Sequence, residues 1–305
     1  VSELAPRPRV ALGAASLAVV AWSFGPIIVR AVDASTPTIV FWRLWLAQPV
    51  MIGVAYLTRG RLSWPLLRRC AIPGALFGSS IMSSFASFEH TSIANATLIG
   101  ALQPAVVMLV APRLFGDRSS PRQVALAAVA IAGMATVVLG AASASGASLG
   151  GDLLALVNLA IWIVYFIRVK RVRDEGVHAP SFIAGVFLVA AVTVTPWALF
   201  ASGRDLGAIG ARDVGFVLLM VLGPGLVGHG TMTWAQRHLD ITVASLLTLL
   251  QPPISTVAAW IVYGERLGAV QLAGAAVVLV AVAGIVRSAH QPAPEARPAL
   301  PVPVE

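Results

Sequence analysis

The chain has 305 residues, 58% of them hydrophobic and only 11% charged, against roughly 25% charged in an ordinary soluble domain, and its apolar runs are long enough to cross a hydrocarbon core of about 30 Å. A soluble fold is thereby excluded. The net charge of +8 does not call for a nucleic-acid partner, because Lys and Arg fall in short stretches between apolar runs, where they set topology; the single cysteine, Cys70, excludes a disulfide framework and a paired-thiol metal site.

Ten helical spans are predicted, at 10–30, 37–57, 71–88, 92–112, 123–141, 152–168, 180–200, 213–235, 241–262 and 267–286. Arg7 and Arg9 before the first run also fit a signal peptide; the length of the run, and the match of its Trp22 with Trp162 in the second half, favour a retained span. Span 2 carries Arg43 within its first third. A charge at that depth costs at least a few kcal/mol unless paired or hydrated, so it either snorkels outward or faces a cavity, where it would suit a carboxylate. In span 3, Ser80, Ser83, Ser84 and Ser87 form one stripe, readable as close helix packing or as a hydrated cavity wall.

Span 4 holds Asn95 and then Gln103-Pro104; span 9 holds Gln251-Pro252-Pro253. A proline inside a span removes a backbone hydrogen bond and frees a carbonyl that lipid cannot satisfy. Each site is therefore a packing kink with a locally bonded Gln, or a cavity lining. Span 6 sets Asn158, Trp162 and Tyr165 at helical spacing, a face that could stack on an aromatic or apolar cargo, although membrane aromatics also serve as anchors. Trp22 is read in the same two ways. Span 8 is interrupted by Gly223-Pro224-Gly225 and Gly228-His229-Gly230. Such interruption is the best sequence pointer to a transport site, and an intramembrane His is a functional candidate, the alternative being a His bonded to Ser or backbone. All thirteen acids lie in loops, at span ends or in the tails, so no embedded carboxylate awaits a lipophilic cation. Proton coupling, if present, would run through His229 or the cargo itself.

An internal repeat organises these spans. Leu102-Gln103-Pro104 and Gly116-Asp117-Arg118 recur 148 positions later as Leu250-Gln251-Pro252 and Gly264-Glu265-Arg266, with His90 on His238 and Gln123 on Gln271; residues 90–135 match at 16 of 46 positions. Alternate sides of the spans receive sixteen and four of the 21 basic residues, Arg43 being the remaining one, which puts both termini in the cytoplasm. Five spans per unit is an odd number, so the second unit enters the membrane inverted, with a pseudo-twofold axis in the membrane plane and a cargo site near the midplane. The organisation expected is an N-terminal segment at 1–9, repeats at 10–141 and 152–288, a linker at 142–151 and a disordered tail at 289–305. The fold class is an all-α integral membrane protein of ten transmembrane helices in two inverted five-helix repeats.

Ala21-Trp22-Ser23-Phe24, Phe41-Trp42-Arg43 and the repeated Gln-Pro…Gly-acid-Arg…Gln block resemble the EamA family of the drug/metabolite transporter superfamily. Asp117 departs from the Glu usual there, and Arg43 lacks a counterpart in span 7. The resemblance implies a multi-pass protein of the bacterial cytoplasmic membrane, and within the superfamily the chain looks most like amino-acid and metabolite exporters, including the aromatic amino-acid branch.

The function expected is export of amino acids or similar small metabolites by alternating access. Trp22, Arg43, Ser80, Ser83, Asn95, Gln103, Asn158, Trp162, Tyr165, His229 and Gln251 are the candidate cavity residues. Pro104, Gly223, Pro224, Gly225, Pro252 and Pro253 are the candidate breaks. A nucleobase or sugar conjugate is the alternative cargo. An intramembrane enzyme is disfavoured, since no nucleophile–base pair or ligand set accompanies His229. No cofactor or metal is expected; the partners are a small molecule and the bilayer, with the chain a monomer or a homodimer.

Overall fold

A computed structural model describes residues 8–90, 99–116, 119–141, 149–203, 205–207, 209–264 and 268–289. The first half contains α1 (Pro8–Ser23), α2 (Gly25–Ala31), α3 (Thr36–Leu57), α4 (Trp64–His90), α5 (Gln103–Phe115) and α6 (Pro121–Ala141). The second contains α7 (Leu149–Asp174), α8 (Ala179–Ala201), α9 (Ala211–Met220), a π-helical stretch (Val221–His229), α10 (Gly230–Ala235), α11 (Ile241–Leu247), α12 (Gln251–Tyr263) and α13 (Ala269–Ala289). There is no strand among the described residues. Helices satisfy every backbone group within one segment, as lipid demands. Six described stretches are long and apolar enough to cross a bilayer: Pro8–Ala31, Thr36–Leu57, Leu149–Asp174, Ala179–Ala201, Ala211–Ala235 and Ile241–Tyr263. Gln103–Phe115 and Leu272–Ile285 are shorter apolar helices.

Two helices extend well past the predicted spans. α4 begins at Trp64 rather than 71, and α7 runs over Leu149–Asp174 rather than 152–168. Hydropathy locates the apolar part of a helix, whereas Arg68, Arg69 and the basic run from Arg168 to Arg173 continue the same helices into polar surroundings. The Gln-Pro sites also differ from expectation. Pro104 and Pro252-Pro253 do not sit in helix interiors but in the first turns of α5 and α12, where a missing N–H costs nothing. The breaks fall just before them, in a turn closed by Leu102 N–H to Ile99 O and in the 3-10 turn Thr248–Leu250. Asn95 and the Gly-acid-Arg positions 117, 118, 265 and 266 lie outside the described residues.

Packing pairs the halves reciprocally. α4 lies on α7 as α1 lies on the π-helical stretch and α10, and α5 lies on α7 as α1 lies on α12. Two further pairs, α3 with α8 and α6 with α13, join equivalent helices. Two large apolar clusters result, beside a small one of Ile28, Val32, Ile39 and Met220. One large cluster gathers α1, α5, α6, α10, α11 and α13 with Leu159, Ile163 and Phe166 of α7. The other gathers α3, α4 and α8 with Tyr165 and Val169 of α7. Small residues bring α6 and α13 together: Ala127, Ala130 and Gly274 are buried, and Gly133 approaches the Gly274 carbonyl.

Gly74 of α4 lies tight against α8: a Cβ there would lie 2.5 Å from Val189 Cβ and 2.8 Å from the Val186 carbonyl oxygen. Gly53, inside α3, has nothing within 4 Å of its equivalent position. Gly74→Ala therefore destabilises by about 1–3 kcal/mol through overpacking, while Gly53→Ala is neutral or slightly stabilising. Thermal unfolding of the purified variants in one detergent checks the contrast.

Candidate functional site

The two clusters meet around an aromatic box. His229, at the end of the π-helical stretch, has its ring centroid 4.9 Å from Trp22, 4.8 Å from Phe77, 5.7 Å from Phe187 and 6.3 Å from Trp162. Trp22 and Trp162 meet edge to face at 6.3 Å, and Trp162 lies 5.1 Å from Tyr165, which stacks on Phe77 at 5.3 Å. His229 is buried, and its ring makes no hydrogen bond to a described residue. The expected alternative, a His held by Ser or backbone, is thus replaced by a ring held among aromatic rings.

Backbone breaks bring these side chains together. Span 1 breaks at Phe24, just past Trp22, where Gly25-Pro26 opens α2; the sequence analysis missed this break, although Gly-Pro is a standard punctuator. The Ser23 carbonyl at this break accepts from Ser255 Oγ of α12 at 2.7 Å. In span 8 the interruption is a widened turn rather than a gap. The π-helical stretch accommodates Pro224, and such bulges concentrate at functional sites. Within it Gly228 lets Trp22 close in, since a Cβ there would lie 2.5 Å from the indole Cδ1 and Nε1. Gly223 is half-buried with nothing near it, while Gly225 abuts the Met220 carbonyl.

Polar partners surround the box. Trp162 Nε1 donates to Gln103 Oε1 at 3.1 Å. Ser80 Oγ donates to Asn158 Oδ1 at 2.7 Å, with Ser83 Oγ 3.5 Å from the same oxygen. The serine stripe therefore serves partly in packing: Ser83 and Ser87 also bond back to carbonyls of their own helix. Gln251, the repeat equivalent of Gln103, is half-buried at the start of α12; neither Gln lines the cavity, and Gln103 reaches it only through its bond to Trp162. Arg43 is half-buried with its Nε sealed and unbonded.

Between these side chains is a cavity of about 10 Å³, room for roughly one water, lined by Trp22, Trp162, Tyr165, Phe166, His229, Met232, Thr233 and Gln236. No carboxylate lines it. Phe77, Phe187 and Gln236 escaped the sequence reading. Phe77 continues the Ser80–Ser84 stripe backwards by one helical step, a usable signal; Phe187 lies in a uniformly apolar helix and had none. Gln236 lay just past the predicted span end. A larger recess of about 340 Å³ opens among loop residues Val32, Asp33, Ala34, Ser35 and Asp205, remote from the box in its lining. Among the described residues no group of His, Cys, Asp and Glu could hold a metal.

Duplicated halves, membrane-length helices broken along their length, and an interior site where the halves meet define a multi-pass membrane transporter. The chain belongs to the EamA-like transporter family, which matches twice, over residues 9–139 and 149–287. The aromatic amino acid exporter YddG of Ancylobacter novellus is 27% identical over 190 residues, 60% of this chain and 63% of that exporter, so the chain spans less than two thirds of its length in the match. The uncharacterized transporter YyaM of Bacillus subtilis is 24% identical over 261 residues, 81% of this chain and 84% of that one. A solved crystal structure superposes with a TM-score of 0.78 at 20% identity, over 92% of this chain and 99% of its own, a likeness of fold.

The Trp162–Gln103 bond is part-buried with Gln103 itself buried, so losing the indole donor strands the amide oxygen. Trp162→Phe leaves Gln103 Oε1 without its donor and costs about 1–3 kcal/mol, whereas the double variant with Gln103→Leu recovers most of that loss. A double-mutant cycle on thermal unfolding in detergent reads the difference.

Proposed function

We propose that this protein exports neutral amino acids, aromatic ones foremost, across the bacterial cytoplasmic membrane by alternating access between ten spans in two inverted repeats, both termini being cytoplasmic. One observation carries the reading: a box of aromatic rings without any carboxylate, seated where the halves meet. Such walls stack on a planar apolar side chain and offer nothing to a lipophilic cation. The name of the Ancylobacter relative is consistent with this cargo. A nucleobase would stack on the same rings and is the second reading. Candidate cavity residues are Trp22, Phe77, Gln103, Trp162, His229 and Gln236, with Arg43 as a nearby positive charge.

A space for one water is far below the roughly 300 Å³ of a small-molecule pocket, so cargo enters only when a seam opens. Two seams are marked by cation–π contacts. At one, the Arg30 guanidinium lies 4.5 Å over the Tyr263 ring, and Tyr263 Oη donates to the Ile27 carbonyl at 2.6 Å. At the other, Arg171 lies 6.0 Å over the Phe115 ring, near the outer limit of the interaction. Phe115 and Tyr263 are equivalent under the 148-residue shift, and Arg171 is one residue from the counterpart of Arg30 under the shift relating Trp22 to Trp162. By the charge rule the Arg30–Tyr263 seam is external and the Arg171–Phe115 seam cytoplasmic. They act as two latches that open in turn, the external one tighter in the described conformation.

Proteoliposomes preloaded with unlabelled L-phenylalanine should accumulate labelled L-phenylalanine by saturable counterflow, with a panel of amino acids and nucleobases as competitors. No saturable flux of any amino acid above empty liposomes would sink the proposal, and flux of nucleobases alone would install the second reading.

The latches are tested separately. With Cys70→Ala and Ile27→Cys as background, Tyr263→Ala should raise labelling by an external, membrane-impermeant maleimide by roughly 2- to 30-fold, the range of a cation–π contact. Phe115→Ala should leave that labelling unchanged or lower it. Equal effects from both variants would refute alternate opening.

A further inference from the structure

Two hydrogen-bond donors, one on a ring that lines the cavity and one on a side chain bonded to the neighbouring ring, are buried without partners, and both have a fixed polarity. Trp22 Nε1 is sealed and unbonded, and an indole N–H can only donate. Gln103 is 4% exposed; its Oε1 accepts from Trp162 Nε1, itself donor-only, so the amide orientation is determined and the unbonded Nε2 is necessarily a donor. Trp162 lies between them, edge to face with Trp22 and hydrogen-bonded to Gln103. Each orphaned donor costs about 1–3 kcal/mol unless something occupies it. Gln103 also opens α5, a 13-residue helix whose N-cap makes no side-chain hydrogen bond, so the positive end of the helix dipole adds to the same corner. The second half has no such corner: α12 opens on Gln251 with two prolines following, which carry no N–H, and Gln251 N–H is spent on the Thr248 carbonyl.

We infer that Trp22 and Gln103 are the specificity-determining residues that receive a carboxylate of the cargo, and that recognition of the acid belongs to the first repeat alone. Gln236, which lines the cavity, is 1% exposed and holds the complementary group: its Oε1 is buried and unbonded, an acceptor for the cargo's ammonium. Side-chain stacking on the rings and donor capture of the carboxylate together define an α-amino acid rather than an amine. This inference rests on the reading of the box as the cargo site.

Counterflow of labelled L-phenylalanine, with unlabelled phenylalanine, phenylalaninamide and phenethylamine as competitors, tests it in the full-length protein. The wild-type protein should discriminate against the two competitors lacking a carboxylate by roughly tenfold or more, as expected of hydrogen bonds to a charged group. Trp22→Phe keeps the ring and deletes the donor, so it should weaken phenylalanine and leave phenethylamine unchanged. Gln103→Glu keeps the acceptor for Trp162 and replaces the free donor with an oxygen, so it should invert the preference towards phenethylamine. Thermal unfolding confirms that each variant is folded. Phenylalanine flux in both variants with wild-type discrimination overturns the assignment and leaves amino-acid export standing. Absence of amino-acid flux in the wild-type protein overturns the functional reading itself.

Discussion

In a bilayer every backbone N–H and C=O must find a partner inside the protein, because lipid supplies none. The rest of this structure depends on that constraint. Among the described residues four interruptions stand out, at Phe24, before Gln103, over Val221–His229 and at Thr248–Leu250. Each interruption is resolved by protein: Ser255 Oγ on the Ser23 carbonyl, tight turns before the Gln-Pro steps, a π-helical widening around Pro224. Breaks of this kind can persist only where helices enclose them, so they gather where the two apolar clusters meet. The interior site follows from that gathering.

Close approach does the remaining work. Gly228 admits the Trp22 indole against the π-helical stretch, and Gly74 and Gly133 let helix backbones meet. Lipid tails are as apolar as leucine, so helices associate through packing and interior hydrogen bonds rather than through exclusion from water. The Trp162–Gln103 and Ser80–Asn158 bonds tie helices of opposite halves across the seam. A wall built in this way is rigid and polar without being charged, which suits a site that must release what it binds.

Much of the site was legible one residue at a time. Trp22, Trp162, Tyr165 and His229 stood out as polar or aromatic groups in apolar runs, and they line one cavity. The proline positions were found as breaks but their geometry was not, because the sequence does not say whether a proline bends a helix or begins one. Helix ends were misplaced wherever a helix outlasts its apolar part, as α4 and α7 do. Phe187 was beyond reach, since a phenylalanine in a uniformly apolar helix carries no mark of the direction it faces.

By itself, the sequence determined that the chain is helical and membrane-embedded, that it is duplicated, and where its spans are weak, since apolar length, the 148-residue repeat and Gly-Pro placement are one-dimensional properties. Only the tertiary structure decided which weak points meet, that His229 is held by four rings rather than by hydrogen bonds, and which ends of Trp22 and Gln103 are left as donors. Those depend on distances between helices far apart in sequence, and on which partner each polar atom has already taken.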